Sequence, residues 1–106
     1  MKVSVIGAGT MGVGIAQTAA TNGYEVCLFD AFDGAIENAQ KQLTNILNRL
    51  VEKEKIIEAK KIEILTKIYF SKDLKDLKGS GLVIEAIIED LKIKQKLFSD
   101  IEKLVD

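Results

Sequence analysis

The feature that most narrows the folds open to this chain is its first turn, Gly7-Ala8-Gly9-Thr10-Met11-Gly12, where three glycines stand in the spacing G-x-G-x-x-G. The turn follows Lys2 to Ile6, a short apolar run rich in β-branched residues that ends on a glycine, as a buried parallel strand does. Beyond it, Ile15, Ala16, Ala19 and Ala20 recur at helical spacing until Asn22-Gly23, a helix stop signal. Glu25 to Phe29 then reads as a second strand, closed by Asp30. Strand, glycine turn, helix and strand within about thirty residues, with an acid at the end of the second strand, form the pattern of a dinucleotide-binding domain of the Rossmann type.

Each glycine in such a turn has its own mechanical task. Gly7 permits the tight exit from the strand, Gly9 lets a pyrophosphate approach the backbone, and Gly12 lets the helix pack close to the sheet. The helix, starting near Thr10 or Met11, points its free N–H groups and the positive end of its dipole at the phosphates. Thr10 adds a hydroxyl donor. Asp30 is placed to accept from both hydroxyls of the adenosine ribose and to repel a 2′-phosphate, and neither Ala31 nor Phe32 supplies the arginine that would welcome one. The expected cofactor is therefore NAD rather than NADP. Asp33 is better placed than Asp30 to cap the next helix.

Downstream of the Asp33-Gly34 turn, Ile36, Ala39, Leu43, Ile46, Leu47 and Leu50 form one face of a long amphipathic helix. Val51 to Thr66 is rich in charge yet retains Ile56, Ile57, Ala59, Ile62 and Leu65. It is expected to continue as helix after a bend, giving an antiparallel arm longer than a simple crossover. Ile68 to Phe70 reads as a third strand, Asp73 to Lys78 as a short helical turn, and Leu82 to Ala86 as a fourth strand. Leu97, Phe98, Ile101, Leu104 and Val105 then share one face of a last helix, with Asp90 at its N-cap. The expected fold is α/β, a parallel sheet of order 3-2-1-4 with a long helical arm. That order opens a crevice between strands 1 and 4 and brings the residues after Ala86 beside the glycine turn. Ala86, Ile87, Ile88 and Glu89 should border the cofactor, with Lys92 and Lys94 within reach, although spacing alone reads Glu89 and the lysines as a solvated helix start.

Composition bounds the rest. At 106 residues the chain fits one domain, 1–106, with a single core. Its 15 basic and 16 acidic residues are interspersed, with no basic block to follow a phosphate backbone, so nucleic acid is not an expected partner. No apolar run approaches the ~20 residues that span a bilayer, and Met1-Lys2-Val3 enters a strand without a signal sequence, so no membrane partner and a cytoplasmic location are expected. No metal site is expected. The single Cys27 lies among Val26, Leu28 and Phe29 and reads as a buried structural thiol. There is no histidine, the side chain that most often serves as general acid or base.

Three stretches together resemble the 3-hydroxyacyl-CoA dehydrogenases, especially the bacterial 3-hydroxybutyryl-CoA dehydrogenases. Val5-Ile6-Gly7-Ala8-Gly9-Thr10-Met11-Gly12, continuing into Gly14-Ile15-Ala16-Gln17, is similar to the family's opening. Lys61-Ile62-Glu63-Ile64-Leu65-Thr66 resembles its middle arm. Leu82-Val83-Ile84-Glu85-Ala86, with Glu89 and Lys92-Ile93-Lys94, resembles its fourth-strand signature. The resemblance covers essentially the whole chain and implies NAD-dependent oxidation of the 3-hydroxyl of an acyl-CoA to a ketone, or the reverse reduction. It also implies that Glu89 and Lys94 contact the cofactor and that Lys53, in the arm, contacts CoA, where spacing alone leaves Lys53 a solvated lysine.

The family's catalytic histidine and the glutamate that holds it, its substrate-side serine and asparagine, and its carboxy-terminal helical domain have no counterpart in these 106 residues. The resemblance therefore implies a cofactor domain with no catalytic residue of its own, completed in the parent enzyme by the absent domain and an acyl-CoA, with an oligomer left open. Two other readings stay open at this point. One is a stand-alone NAD-binding or sensing module that works with a partner chain. The other is a flavoprotein or different short-turn dehydrogenase, against which Asp30 and the Glu85 to Lys94 stretch argue.

Overall fold

The computed structural model describes residues 2–86. The last helix expected from the sequence, with Asp90, Phe98 and Ile101, and the candidate site residues Ile87, Glu89 and Lys94 lie outside the described residues. Four strands, β1 (Lys2–Ile6), β2 (Glu25–Phe29), β3 (Ile68–Ser71) and β4 (Leu82–Glu85), form one sheet of order β3-β2-β1-β4. Every pairing is parallel, with Lys2 opposite Glu25, Val3 opposite Leu82 and Val26 opposite Ile68. This is the sheet order expected from the sequence, and its parallel strands require the crossover helices that the periodicity announced.

One face of the sheet is wholly apolar. Val3, Val5, Val26, Leu28 and Ile68 are buried there against α1 (Thr10–Thr21) and α2 (Ala35–Glu52), whose Ala16, Ala20, Ala39, Leu43 and Leu47 are sealed from solvent. The small residues of α1 let its axis lie close to the sheet, while the leucines of α2 fill the wider gap beside it. The other face carries Ser4, Ile6, Cys27, Phe29 and Ser71 and, among the described residues, is met by the 3₁₀ turn Leu74–Leu77, which buries Leu77. Asp73 caps that turn through its side chain, accepting from the Lys75 amide at 3.0 Å. The two buried serines keep partners: Ser4 meets the Ser80 hydroxyl, and Ser71 donates to the Asp76 carboxylate at 2.5 Å.

The helical arm is a hairpin of two helices. α2 stops at Glu52, and α3 (Glu58–Lys67) begins after a break that the continuing apolar pattern at Ile56 and Ile57 conceals. The break is a Schellman closure in which Glu54 takes the left-handed conformation, φ 58°, and the Lys55 amide donates to the Leu50 carbonyl at 2.8 Å. α1 ends in the same way, with Gly23 at φ 91° and the Tyr24 amide on the Ala19 carbonyl. α3 turns back against the end of α1, where Lys60 Nζ donates to the Thr21 carbonyl at 3.2 Å.

One expected cap is absent. Gly34, at φ 78°, occupies the N-cap of α2 and no side chain caps that helix, so Asp33 does not have the role read from the sequence. The left-handed glycine carries the chain into the helix from a direction that leaves the Asp33 side chain one position too early. The first turn of α2 instead carries Glu37, which pairs with Lys72 beyond β3, and that partner holds the Glu37 carboxyl below its usual range.

Glu54 and Cys27 give two expectations. A non-glycine residue in the left-handed region costs about 1 kcal/mol, so Glu54→Gly should stabilise the fold by up to about 1 kcal/mol in urea titration, while Lys53→Gly should destabilise it by about as much. Burial raises the Cys27 thiol from 9.0 to about 11, outweighing the opposing pull of Lys2. Because the unfolded thiol ionises first, the stability this group confers is intact below pH 9 and falls as pH rises towards 11. The loss should be on the order of 2 kcal/mol. It should disappear in Cys27→Ala, measured as the difference between the two stability-against-pH curves.

Candidate functional site

The C-terminal edge of the sheet, where β1, β2 and β4 end side by side, collects the candidate residues. β1 leaves the sheet through Gly7, whose φ of 104° is open to glycine but not to ordinary side chains, and whose amide donates to the Phe29 carbonyl at 2.8 Å. α1 starts at Thr10, in line with the sequence. The approach of this helix to the turn is very close: a Cβ placed on Gly12 would lie 1.7 Å from the Gly7 carbonyl oxygen. Gly9 is the opposite case, since a Cβ there would meet nothing within 4 Å. Gly12 is thus a glycine for internal packing, whereas Gly9 faces open space into which a bound group can come against the backbone.

The helix start is prepared for an anion. Gly9 occupies the N-cap with extended backbone, no side chain caps the helix, and no acidic residue stands in its first turn. Gly9, Thr10 and Met11 are all exposed. N–H groups at such a terminus, together with the helix dipole, favour negative charge beside them.

Asp30, at the end of β2, stands next to this turn. Its Oδ2 accepts from the Ala8 amide at 2.9 Å and its Oδ1 from the Phe32 amide at 2.9 Å. Each carboxylate oxygen has a second lone-pair direction, so these bonds leave acceptor capacity for hydroxyls. On the other side of β1, the Ala86 amide donates to the Ile6 carbonyl at 2.8 Å, which sets Ala86 beside Gly7. Gly7, Gly9, Thr10, Met11, Gly12, Asp30 and Ala86 are therefore brought together at one edge. Lys53 is not among them: it is exposed at the far end of α2, an 18-residue helix about 27 Å long that starts just after Asp30.

An open groove of about 860 Å³ runs alongside, between α1 and β4, with Val3, Ile15 and Ile84 as its apolar floor and Thr10 and Met11 at its upper end. Among the described residues no group of His, Cys, Asp or Glu could hold a metal ion. No helix among them is long and apolar enough to cross a membrane.

Three participants escaped the sequence. The Phe32 amide sits two residues after an aspartate, an Asx-turn pattern that could have been read locally. The bond between Asp30 and Ala8 spans 22 positions and has no local signal. Ser71 was missed for the same reason; its carbonyl accepts from the Asp30 amide at 3.1 Å across the β2–β3 boundary.

Comparison with known proteins decides the family. Residues 2–106 match the model of the 3-hydroxyacyl-CoA dehydrogenase NAD-binding domain. The chain belongs to this family. NAD is accordingly the cofactor of the domain, and the uncapped helix start, the open space at Gly9 and the acceptor oxygens of Asp30 fit such a group. A 3-hydroxybutyryl-CoA dehydrogenase of Clostridioides difficile is 43% identical over 98% of the chain, and a probable 3-hydroxybutyryl-CoA dehydrogenase of Deinococcus radiodurans is 39% identical over 99%. The chain spans 37% of the length of each. The crystal structure of an (S)-3-hydroxybutyryl-CoA dehydrogenase from Ralstonia eutropha superposes with a TM-score of 0.93 at 39% identity, over 99% of this chain and 37% of that one. These dehydrogenases are longer than this 3-hydroxyacyl-CoA dehydrogenase domain by the larger part of their sequence.

The contrast between two glycines is open to test. Gly12→Ala forces the helix away from the Gly7 carbonyl and should cost about 3 kcal/mol or more, while Gly9→Ala, in open space, should change stability by no more than about 1 kcal/mol. Urea or thermal unfolding of the two variants measures the difference.

Proposed function

We propose that this chain is the cytoplasmic, single-domain NAD-binding unit of a dehydrogenase acting on 3-hydroxyacyl-CoA, with 3-hydroxybutyryl-CoA as the substrate. The observation that carries the proposal is the juxtaposition at the sheet edge of an uncapped helix start, an unobstructed Gly9 and the Asp30 carboxylate. The pyrophosphate is assigned to the N–H groups of Gly9 to Gly12 with the Thr10 hydroxyl, and the adenosine ribose to Asp30. Ala86 is assigned to the cofactor at the same edge, with Met11 beside the phosphates, and the family resemblance extends the cofactor assignment to Ile87, Glu89 and Lys94. Bound here, NAD would supply the hydride acceptor for oxidation at C3 of the hydroxyacyl group. This chain's own residues hold and orient the cofactor; with no histidine in the sequence, none of them is assigned the hydroxyl proton.

The choice of substrate rests on the relatives at 36 to 43% identity that carry the name 3-hydroxybutyryl-CoA dehydrogenase. Lys53 is assigned to the CoA, held out on the arm away from the phosphate turn. The position suits a ligand whose long pantetheine and nucleotide reach well beyond the reacting carbon.

Calorimetric titration tests the cofactor assignment. NAD and NADH should bind, NADP should bind at least about tenfold more weakly because Asp30 repels its 2′-phosphate, and Asp30→Ala should narrow that gap. No heat and no rise in melting temperature at millimolar NAD would overturn the reading. Steady turnover of acetoacetyl-CoA and NADH by this chain alone would refute the assignment of catalysis to residues outside it.

A further inference from the structure

Asp30 makes two backbone bonds that ribose recognition does not call for. Its Oδ2 reaches across from the end of β2 to the Ala8 amide inside the glycine turn, and its Oδ1 holds the Phe32 amide in the loop that follows β2. Ala8 is buried, so its amide has little access to water as an alternative partner. Asp30 is itself fixed from the other side, because its amide donates to the Ser71 carbonyl at 3.1 Å. Ser71 is buried, and its hydroxyl is held by the Asp76 carboxylate at 2.5 Å and by the Asp73 amide at 3.0 Å. A row of hydrogen bonds therefore runs along the upper edge of the sheet, from the capped 3₁₀ turn through β3 and β2 to the glycine turn.

We propose that Asp30 is a positioning residue for the phosphate-binding turn in addition to a ligand for the ribose, and that its carboxylate sets the turn's conformation before any cofactor arrives. The proposal rests on the assignment of NAD to this edge. Gly7 at φ 104° and Gly9, free of neighbours, leave the turn with little intrinsic preference for one shape. The Gly7 amide bond to Phe29 fixes one end, the contact of Gly12 with Gly7 fixes the other, and the charged acceptor on Ala8 fixes the middle. A turn held in its binding shape loses less freedom when the pyrophosphate docks. Removing the carboxylate should then weaken ligands that never touch it.

Two readouts on this chain test the proposal. Without ligand, amide hydrogen exchange followed residue by residue by NMR should be at least about tenfold faster at Ala8 and Phe32 in Asp30→Ala, with Leu28 unchanged. With ligand, 2′,3′-dideoxy-ADP, which has no ribose hydroxyl for Asp30 to hold, should bind Asp30→Ala about three- to tenfold more weakly than the unsubstituted chain. If Asp30→Ala does not fold, Asp30→Asn keeps the shape with a single oxygen acceptor and should speed exchange at one of the two amides and spare the other. Unchanged exchange at both amides, or equal or tighter binding of the dideoxy nucleotide, overturns the positioning role. Failure of the unsubstituted chain to bind any nucleotide would instead defeat the NAD assignment, and the exchange rates would then decide the brace alone.

Discussion

The contact between Gly12 and the Gly7 carbonyl governs the arrangement of everything around it. A side chain at position 12 has no room, so the first turn of α1 lies directly on the end of β1 and the helix start is fixed relative to the sheet edge. Because α1 is anchored there, its alanines can lie flat on β1 and β2, and the register of both strands places Asp30 alongside the turn. Substituting that one glycine would therefore disturb the core and the candidate site together.

The two faces of the sheet solve different problems. The face under α1 and α2 receives two full helices and is built from Val, Leu and Ile, with tight burial and no polar group. Among the described residues the opposite face is met by the 3₁₀ turn, whose Leu77 packs with Ile6, Cys27 and Phe29. Ser4 and Cys27 are the middle pair of that face and Ser71 stands at its upper end beside Phe29; both serine hydroxyls have partners, while Lys2 closes the lower end by donating to the Asp76 and Lys78 carbonyls. Among the described residues no buried side-chain polar atom lacks a partner. The raised thiol of Cys27 belongs to this thin but sealed layer and reflects its burial there, as the surrounding sequence suggested.

Much of this was legible in advance. β1 and β2 begin and end where the apolar runs do, since each is bounded by a glycine or an aspartate that cannot continue it, and the sheet order followed from the βαβ pattern. What stayed hidden depended on residues whose type gives no signal. Glu54 is no usual left-handed residue, and the isoleucines on either side of α3's start keep the helical rhythm going across the break. Gly34 displaced Asp33 from the cap because the direction of chain entry is a three-dimensional matter. At the site, the glycine turn and Asp30 were read from spacing, and Ala86 from topology, but the bonds from Asp30 to Ala8 and Ser71 join segments far apart in the chain. No periodicity encodes such pairs.

The bond from Lys60 to the Thr21 carbonyl has an electrical consequence at the opposite end of α1. A helix carries roughly half a positive charge at its start and half a negative charge at its finish, and the two fields partly cancel at a distance. Here a lysine from α3 sits on the negative pole, while the first turn at the positive pole carries neither an acidic residue nor a capping side chain. α1 is thus neutralised at one end only. The contribution of α1 to the field at the glycine turn, beside the negative charge of Asp30, is therefore more positive than an uncompensated helix would give, so the arm contributes to anion attraction at a site it does not touch.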